Sequence, residues 1–172
     1  MGMRWPGTAR PSQSARKLLA IYLSDHHAGS TVGVELAKRA ARHNAGTRIG
    51  AVLDDVVVEI EADRRALERL MASLDIETSR MKRAGAFLTE RLARLKTNGR
   101  LFRFSPLSRV VELEGLALGI LGKLALWEGL AGVPALEGIA GLDLTELANR
   151  ARSQHDAVEE CRRRAVEAAF AA

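Results

Sequence analysis

The sequence predicts an all-α domain of about five helices packed as an antiparallel bundle. Three observations carry that reading. The four prolines, Pro6, Pro11, Pro106 and Pro134, all fall outside the long periodic segments. Within those segments apolar residues recur at spacings of three and four, the period of a helix face. Helix-capping residues stand where two of the segments begin: Ser105 before Pro106, and Asp143 three residues before Glu146.

The first helix is expected from about Ser14 to His43, with Leu18, Tyr22, His26, Gly29, Gly33, Leu36 and Ala40 on its inward face. It ends at Asn44-Ala45-Gly46. A second runs from about Thr47 to Leu74, where Ile49, Leu53, Val56, Ile60, Asp63, Leu67, Leu70 and Leu74 keep one register throughout. Val56-Val57-Val58 favours a strand by local propensity, but the helical period continues through it for several turns. A third, from about Thr78 to Lys96, carries Met81, Leu88, Leu92 and Leu95 and stops at Asn98-Gly99. The fourth starts sharply at Ser105-Pro106 and runs to about Gly129. After a loop with Gly132, Pro134, Gly138 and Gly141, a fifth begins at the Asp143 cap and reaches about Phe170.

With 172 residues and 47% hydrophobic content the chain can bury a core without disulfides. We read residues 1–15 as a disordered basic tail and 16–172 as one helical domain. The net charge of +5 is largely a property of the N-terminus: four of the 26 Lys and Arg lie in residues 1–17 with no acid among them, leaving 22 against 21 Asp and Glu. The lone Cys161, spaced with Val158 and Ala165, suits a small buried hydrophobe in a reducing compartment. The most apolar stretch, Val110 to Trp127, is interrupted by Glu112, Glu114 and Lys123, so no membrane span is expected and the cytoplasm is the default location.

Five successive antiparallel helices run up, down, up, down, up. With the third set aside as a crossover, the remaining four run up, down, down, up, which is the topology of a ferritin-like bundle. Each of those four places polar residues near the middle of its apolar stripe: Asp25 and His26, Glu59 and Asp63, Glu112 and Glu114, Gln154 and His155. Carboxylates and imidazoles converging from facing helices hold pairs of metal ions in such bundles, so Asp25, His26, Glu59, Asp63, Glu112, Glu114 and His155 are the candidate ligands for iron or manganese. The Glu-x-x-His spacing of that chemistry is absent: Glu59 is followed at that interval by Ala62, and His155 is preceded by Arg152. The competing expectation is carboxylates paired with Arg or Lys of neighbouring helices. Asp63 tests it, because a carboxylate in register with leucines needs a partner, a raised pKa or a ligand.

Gly29 and Gly33, and Gly115, Gly119 and Gly122, repeat a small-residue spacing expected to mark a tight helix crossing rather than a ligand cleft. Lys123 and Trp127, one turn apart, are placed either to wall a pocket there or to stack on each other. From Arg91 to Arg109 six cations flank Phe102 and Phe104 without an acid, the best local candidate for nucleic acid, but no recognised motif accompanies them and nucleic acid is not the expected partner.

The segments Tyr22-Leu23-Ser24-Asp25-His26 with Gly33-Val34-Glu35-Leu36, and Ser105-Pro106-Leu107-Ser108 through Glu112-Leu113-Glu114 to Gly122-Lys123-Leu124-Ala125-Leu126-Trp127, resemble an uncharacterised bacterial family of ferritin-like helical proteins. The likeness covers roughly residues 18–170 and implies a fold rather than a reaction. The resulting expectation is a non-catalytic ferritin-like bundle acting through self-association, as a homodimer, or through another protein partner. Its rivals are a di-metal oxidoreductase using Asp25, Glu59, Asp63, Glu112, Glu114 and His155, and a small-ligand-binding protein with a degenerate carboxylate site.

Overall fold

In the computed structural model, residues 12–77 and 105–171 are described. Their regular structure is helical, with no strand among the described residues. Four long helices, α1 (Gln13–His43), α2 (Arg48–Ser73), α3 (Pro106–Ala131) and α4 (Leu144–Phe170), are accompanied by two short 3₁₀ turns, Pro134–Leu136 and Ile139–Gly141. The expected helix at 78–96, most of the basic segment at 91–109 and most of the basic tail lie outside the described residues.

Each helix starts at a side-chain cap that satisfies one of the free N–H groups of its first turn. Ser12 accepts from the amide of Ala15, Thr47 from Gly50, Ser105 from Ser108 and Asp143 from Glu146. The α1–α2 turn is unusually tight. A Cβ on Gly50 would stand 2.2 Å from the carbonyl oxygen of Asn44, so only glycine fits beneath that turn.

Cross-helix contacts fix the directions. Lys38 pairs with Glu61 and His27 with Glu68, so α1 and α2 are antiparallel. Arg39 pairs with Glu112 near one end, while Leu23 joins Leu126 and Trp127 in one apolar cluster near the other, so α3 also runs antiparallel to α1. Arg152 bonds Glu128, and Val158 and Cys161 pack with Val110, Leu113 and Leu116, which sets α4 antiparallel to α3. Hence α2 and α3 run the same way, and Glu77 and Ser105 lie at opposite ends of the helices.

The core divides into two apolar halves. One gathers Leu67, Leu70, Met71, Leu126, Trp127 and Leu130 with Leu136, Ile139 and Leu142 from the loop before α4. The other gathers Val34, Leu53, Val56, Ile60, Leu113, Leu116, Ile120 and Val158. On α2 the two halves meet at Asp63, on α3 at Lys123 and on α4 at Gln154.

The α2 stripe is buried from Leu53 to Leu74 in the expected register, Asp63 included. Cys161 is buried as expected, and burial pushes its thiol above the usual cysteine range. The α1 stripe needs correction. Leu18 is 65% and Tyr22 40% exposed, whereas Leu23, His27, Val34, Ala37 and Ala41 face the core beside Ala40. Two neighbouring stripes of α1 are both apolar enough to satisfy the helical period, and packing against α2 selected the second.

Candidate functional site

Asp63, 1% exposed, lies at the waist between the two apolar halves. Its Oδ1 accepts from both the Nε of Arg150, at 2.8 Å, and a terminal guanidinium nitrogen of the same residue. Its Oδ2 accepts from Lys123 Nζ at 2.6 Å and from Gln154 Nε2 at 3.1 Å. Four donors thus occupy the four lone-pair directions of one carboxylate. Lys123 also donates to Gln154 Oε1, which closes the three helices into one hydrogen-bonded layer. Burial holds the Lys123 ammonium below the usual lysine range, opposed by the attraction of Asp63.

The expected pairing of buried carboxylates with cations from facing helices is therefore what Asp63 does. Neither partner was singled out: Lys123 was read only beside Trp127, and Arg150 not at all. The available signal was position: Arg150 precedes Gln154 by one turn and flanks the buried Ala151 on the inward face of α4.

The other candidate ligands are dispersed. Glu112 is held by Arg39 at 2.9 Å and by His43 at 2.9 Å, toward the C-terminus of α1. Glu114 is exposed, and its charge acts on Arg162 of α4. Glu59, half-buried on α2, acts on Lys123 only through its charge. His155 turns to its own neighbour Asp156, and Gln154 takes the inward position. Asp25 and His26 lie on α1, where His26 meets the ring of Tyr22 edge-on with centroids 4.6 Å apart. Burial lowers the His26 pKa, so this imidazole is neutral at pH 7. Among the described residues no three His, Cys, Asp or Glu side chains assemble into a group able to hold a metal ion. Asp63, with its acceptor positions filled, does not fit a metal-ligand role either.

His27, next to the candidate His26, is the buried histidine of α1. Its Nε2 lies 3.0 Å from Glu68 Oε1, and Glu68 also accepts from Arg64. His27 shares a face with Leu23 and Val34, the stripe that the α1 reading passed over.

Above the polar layer, between α1 and α3, lies a cavity of about 380 Å³. Gly29 and Gly33 line it from α1, Gly115, Gly119 and Gly122 from α3, and Asp63, Lys123 and Trp127 are also part of its lining. This overturns the expectation of a tight crossing. A Cβ placed on Gly33, Gly119 or Gly122 would meet nothing within 4 Å, and one on Gly115 would only touch Leu36 Cδ2 at 3.5 Å. Absent side chains here open space instead of drawing backbones together. Ile60, Leu67, Leu116 and Leu126 supply apolar wall, while Asp25, Gly119 and Gly122 are exposed on the open side. Trp127, 1% exposed, is part of the wall, and its Nε1–H is buried without a hydrogen-bond partner among the described residues.

Comparison with protein-family models, with characterised proteins and with solved structures finds no match. The site's own geometry therefore carries the functional argument.

No helix among the described residues is long and apolar enough to cross a membrane.

Proposed function

We propose that this chain is a non-catalytic, ferritin-like helical bundle that binds a small, mostly apolar molecule between α1 and α3. The pairwise helix directions, up, down, down, up, support the bundle topology. The observation that carries the function is the glycine-lined cavity of about 380 Å³. Its size falls within the range of about 300–1,000 Å³ usual for small-molecule sites, and apolar walls over a few polar groups are their common chemistry.

The test is titration of the full chain with 1-aminoanthracene, a neutral apolar fluorophore, against the variants Gly33→Leu and Gly119→Leu. Each substitution places its Cβ in open space and replaces glycine by a better helix former, so both variants are expected to fold, which circular dichroism checks. Saturable binding to the parent chain that is lost in both variants supports the reading. Equal binding by all three chains refutes it.

A second reading, association between copies of the chain, is supported by the apolar side chains exposed on α1 and α3: Leu18, Ile21, Val111 and Leu118 are each at least half exposed. Sedimentation equilibrium decides it. A concentration-dependent dimer that Val111→Glu with Leu118→Glu dissociates supports it, and a monomer at every concentration rules it out.

A further inference from the structure

The open side of the cavity is continuous with an exposed apolar face. On α1, Leu18 and Tyr22 extend, at spacings of three and four, the stripe of Asp25, Gly29, Val32 and Leu36 that lines the cavity. On α3, Leu107, Val111, Leu118, Gly122, Ala125 and Gly129 fall on one stripe, and all six are exposed. Gly122 belongs both to that stripe and to the cavity lining, so whatever covers the face also closes the cavity. α3 is thus apolar on its outer side as well as toward the core, the pattern of a helix covered on both sides.

The order of residues along the stripe selects the occupant. Its large side chains, Leu107, Val111 and Leu118, lie in the first half of α3, and its small residues, Gly122, Ala125 and Gly129, in the second. A Cβ on Gly122 or Gly129 would meet nothing within 4 Å, so both leave room for an incoming side chain. Turned end for end about Leu118, a second α3 sets Leu107 against Gly129 and Val111 against Ala125, large on small at each step, while Leu118 meets its own counterpart. Laid in the same direction, the large residues would meet each other, and the exposed Glu114 and Glu128 would each face a like charge. The amount of surface agrees. The three large residues of α3 with Leu18, Ile21 and Tyr22 of α1 expose roughly 600 Å² per copy, most of the ~800 Å² that each partner buries in a standard interface.

Resting on the cavity and self-association readings above, we infer that a second copy of this chain closes the cavity, with the two α3 helices antiparallel about Leu118. Gly119 and Gly122, exposed in the single chain, are then covered, and the bound molecule lies inside the dimer. Ligand binding and dimerisation become one linked equilibrium, in which each favours the other by the same factor.

Cysteine cross-linking of the full chain, in a Cys161→Ala background, tests the orientation. Under mild oxidation Leu118→Cys is expected to form a disulfide-linked dimer, whereas Leu107→Cys, about 33 Å from its counterpart by the helix rise, is not. Sedimentation equilibrium with and without 1-aminoanthracene tests the linkage. Saturating probe is expected to tighten the dimer about fivefold or more, and the monomeric variant Leu118→Glu to bind the probe more weakly by the same factor.

Cross-linking of Leu107→Cys as fast as of Leu118→Cys overturns the antiparallel pairing. A dimer constant unchanged by bound probe overturns closure of the cavity and leaves the cavity and self-association readings standing. A chain that is monomeric with and without probe overturns the inference together with self-association; the rate at which a thiol reagent labels Leu118→Cys then tells whether the face is open or covered from within the chain. Failure of the parent chain to bind the probe removes the cavity reading and the linkage with it, whatever the cross-linking shows.

Discussion

Replacing Asp63 by leucine converts a paired carboxylate into an apolar side chain and leaves Lys123, Arg150 and Gln154 without their common acceptor. Breaking a buried ion pair from one side costs about 3–5 kcal/mol, because the remaining charge keeps its desolvation penalty and loses its compensation. Here Arg150 is about a third exposed and can turn to water, while Lys123, 16% exposed, is confined. The low end, about 3 kcal/mol, is therefore expected. Lys123→Met is milder, about 1–2 kcal/mol, because Asp63 keeps its two bonds from Arg150. Combined, the two substitutions replace the pair by apolar groups of similar volume, so the double variant loses less than the sum of the singles by about 1.5 kcal/mol or more. Urea melts followed by circular dichroism at constant m-value measure all four corners of the cycle. Additivity within about 0.5 kcal/mol refutes the claim that Asp63 and Lys123 act as one buried unit.

Two further predictions concern the backbone and pH. Gly50→Ala places a Cβ 2.2 Å from the Asn44 carbonyl oxygen, which cannot yield because it belongs to the turn, and a loss of about 1–3 kcal/mol in thermal or urea unfolding is expected despite alanine's better helix propensity. Gly119→Ala, entering open space, is expected to raise stability by up to about 1 kcal/mol, and a similar response at both positions contradicts the packing described. Acidification acts through His26, whose folded pKa burial sets below its unfolded value. As pH falls below about 6.5 the unfolded chain takes up the proton first, so stability declines toward the folded pKa. Glu68, its pKa lowered by the His27 hydrogen bond and by Arg64, adds a contribution present above the unfolded carboxylate pKa and lost as pH falls through the folded one. Melts at pH 7.5 and 5.5 should show a smaller drop for His26→Phe than for the parent chain, and an equal drop removes His26 from the account.

The sequence by itself determined the helices. Proline placement, cap residues and the three-four period located α1, α2, α3 and α4 to within a residue or two at nearly every end, because those signals are local and each acts within one turn. It also identified Asp63 as a residue that needed a partner, since a carboxylate among leucines violates the stripe around it. Tertiary packing decided the rest. It chose the stripe through Leu23, His27 and Val34 on α1 over its equally periodic neighbour, and brought Arg150, 87 residues away along the chain, to Asp63. It turned the glycine repeats from an expected close crossing into the walls of a cavity. A glycine spacing states only that side chains are missing; whether neighbouring backbones close the gap depends on how far apart α1 and α3 are held by the larger residues around it, and that separation is a property of the assembled helices.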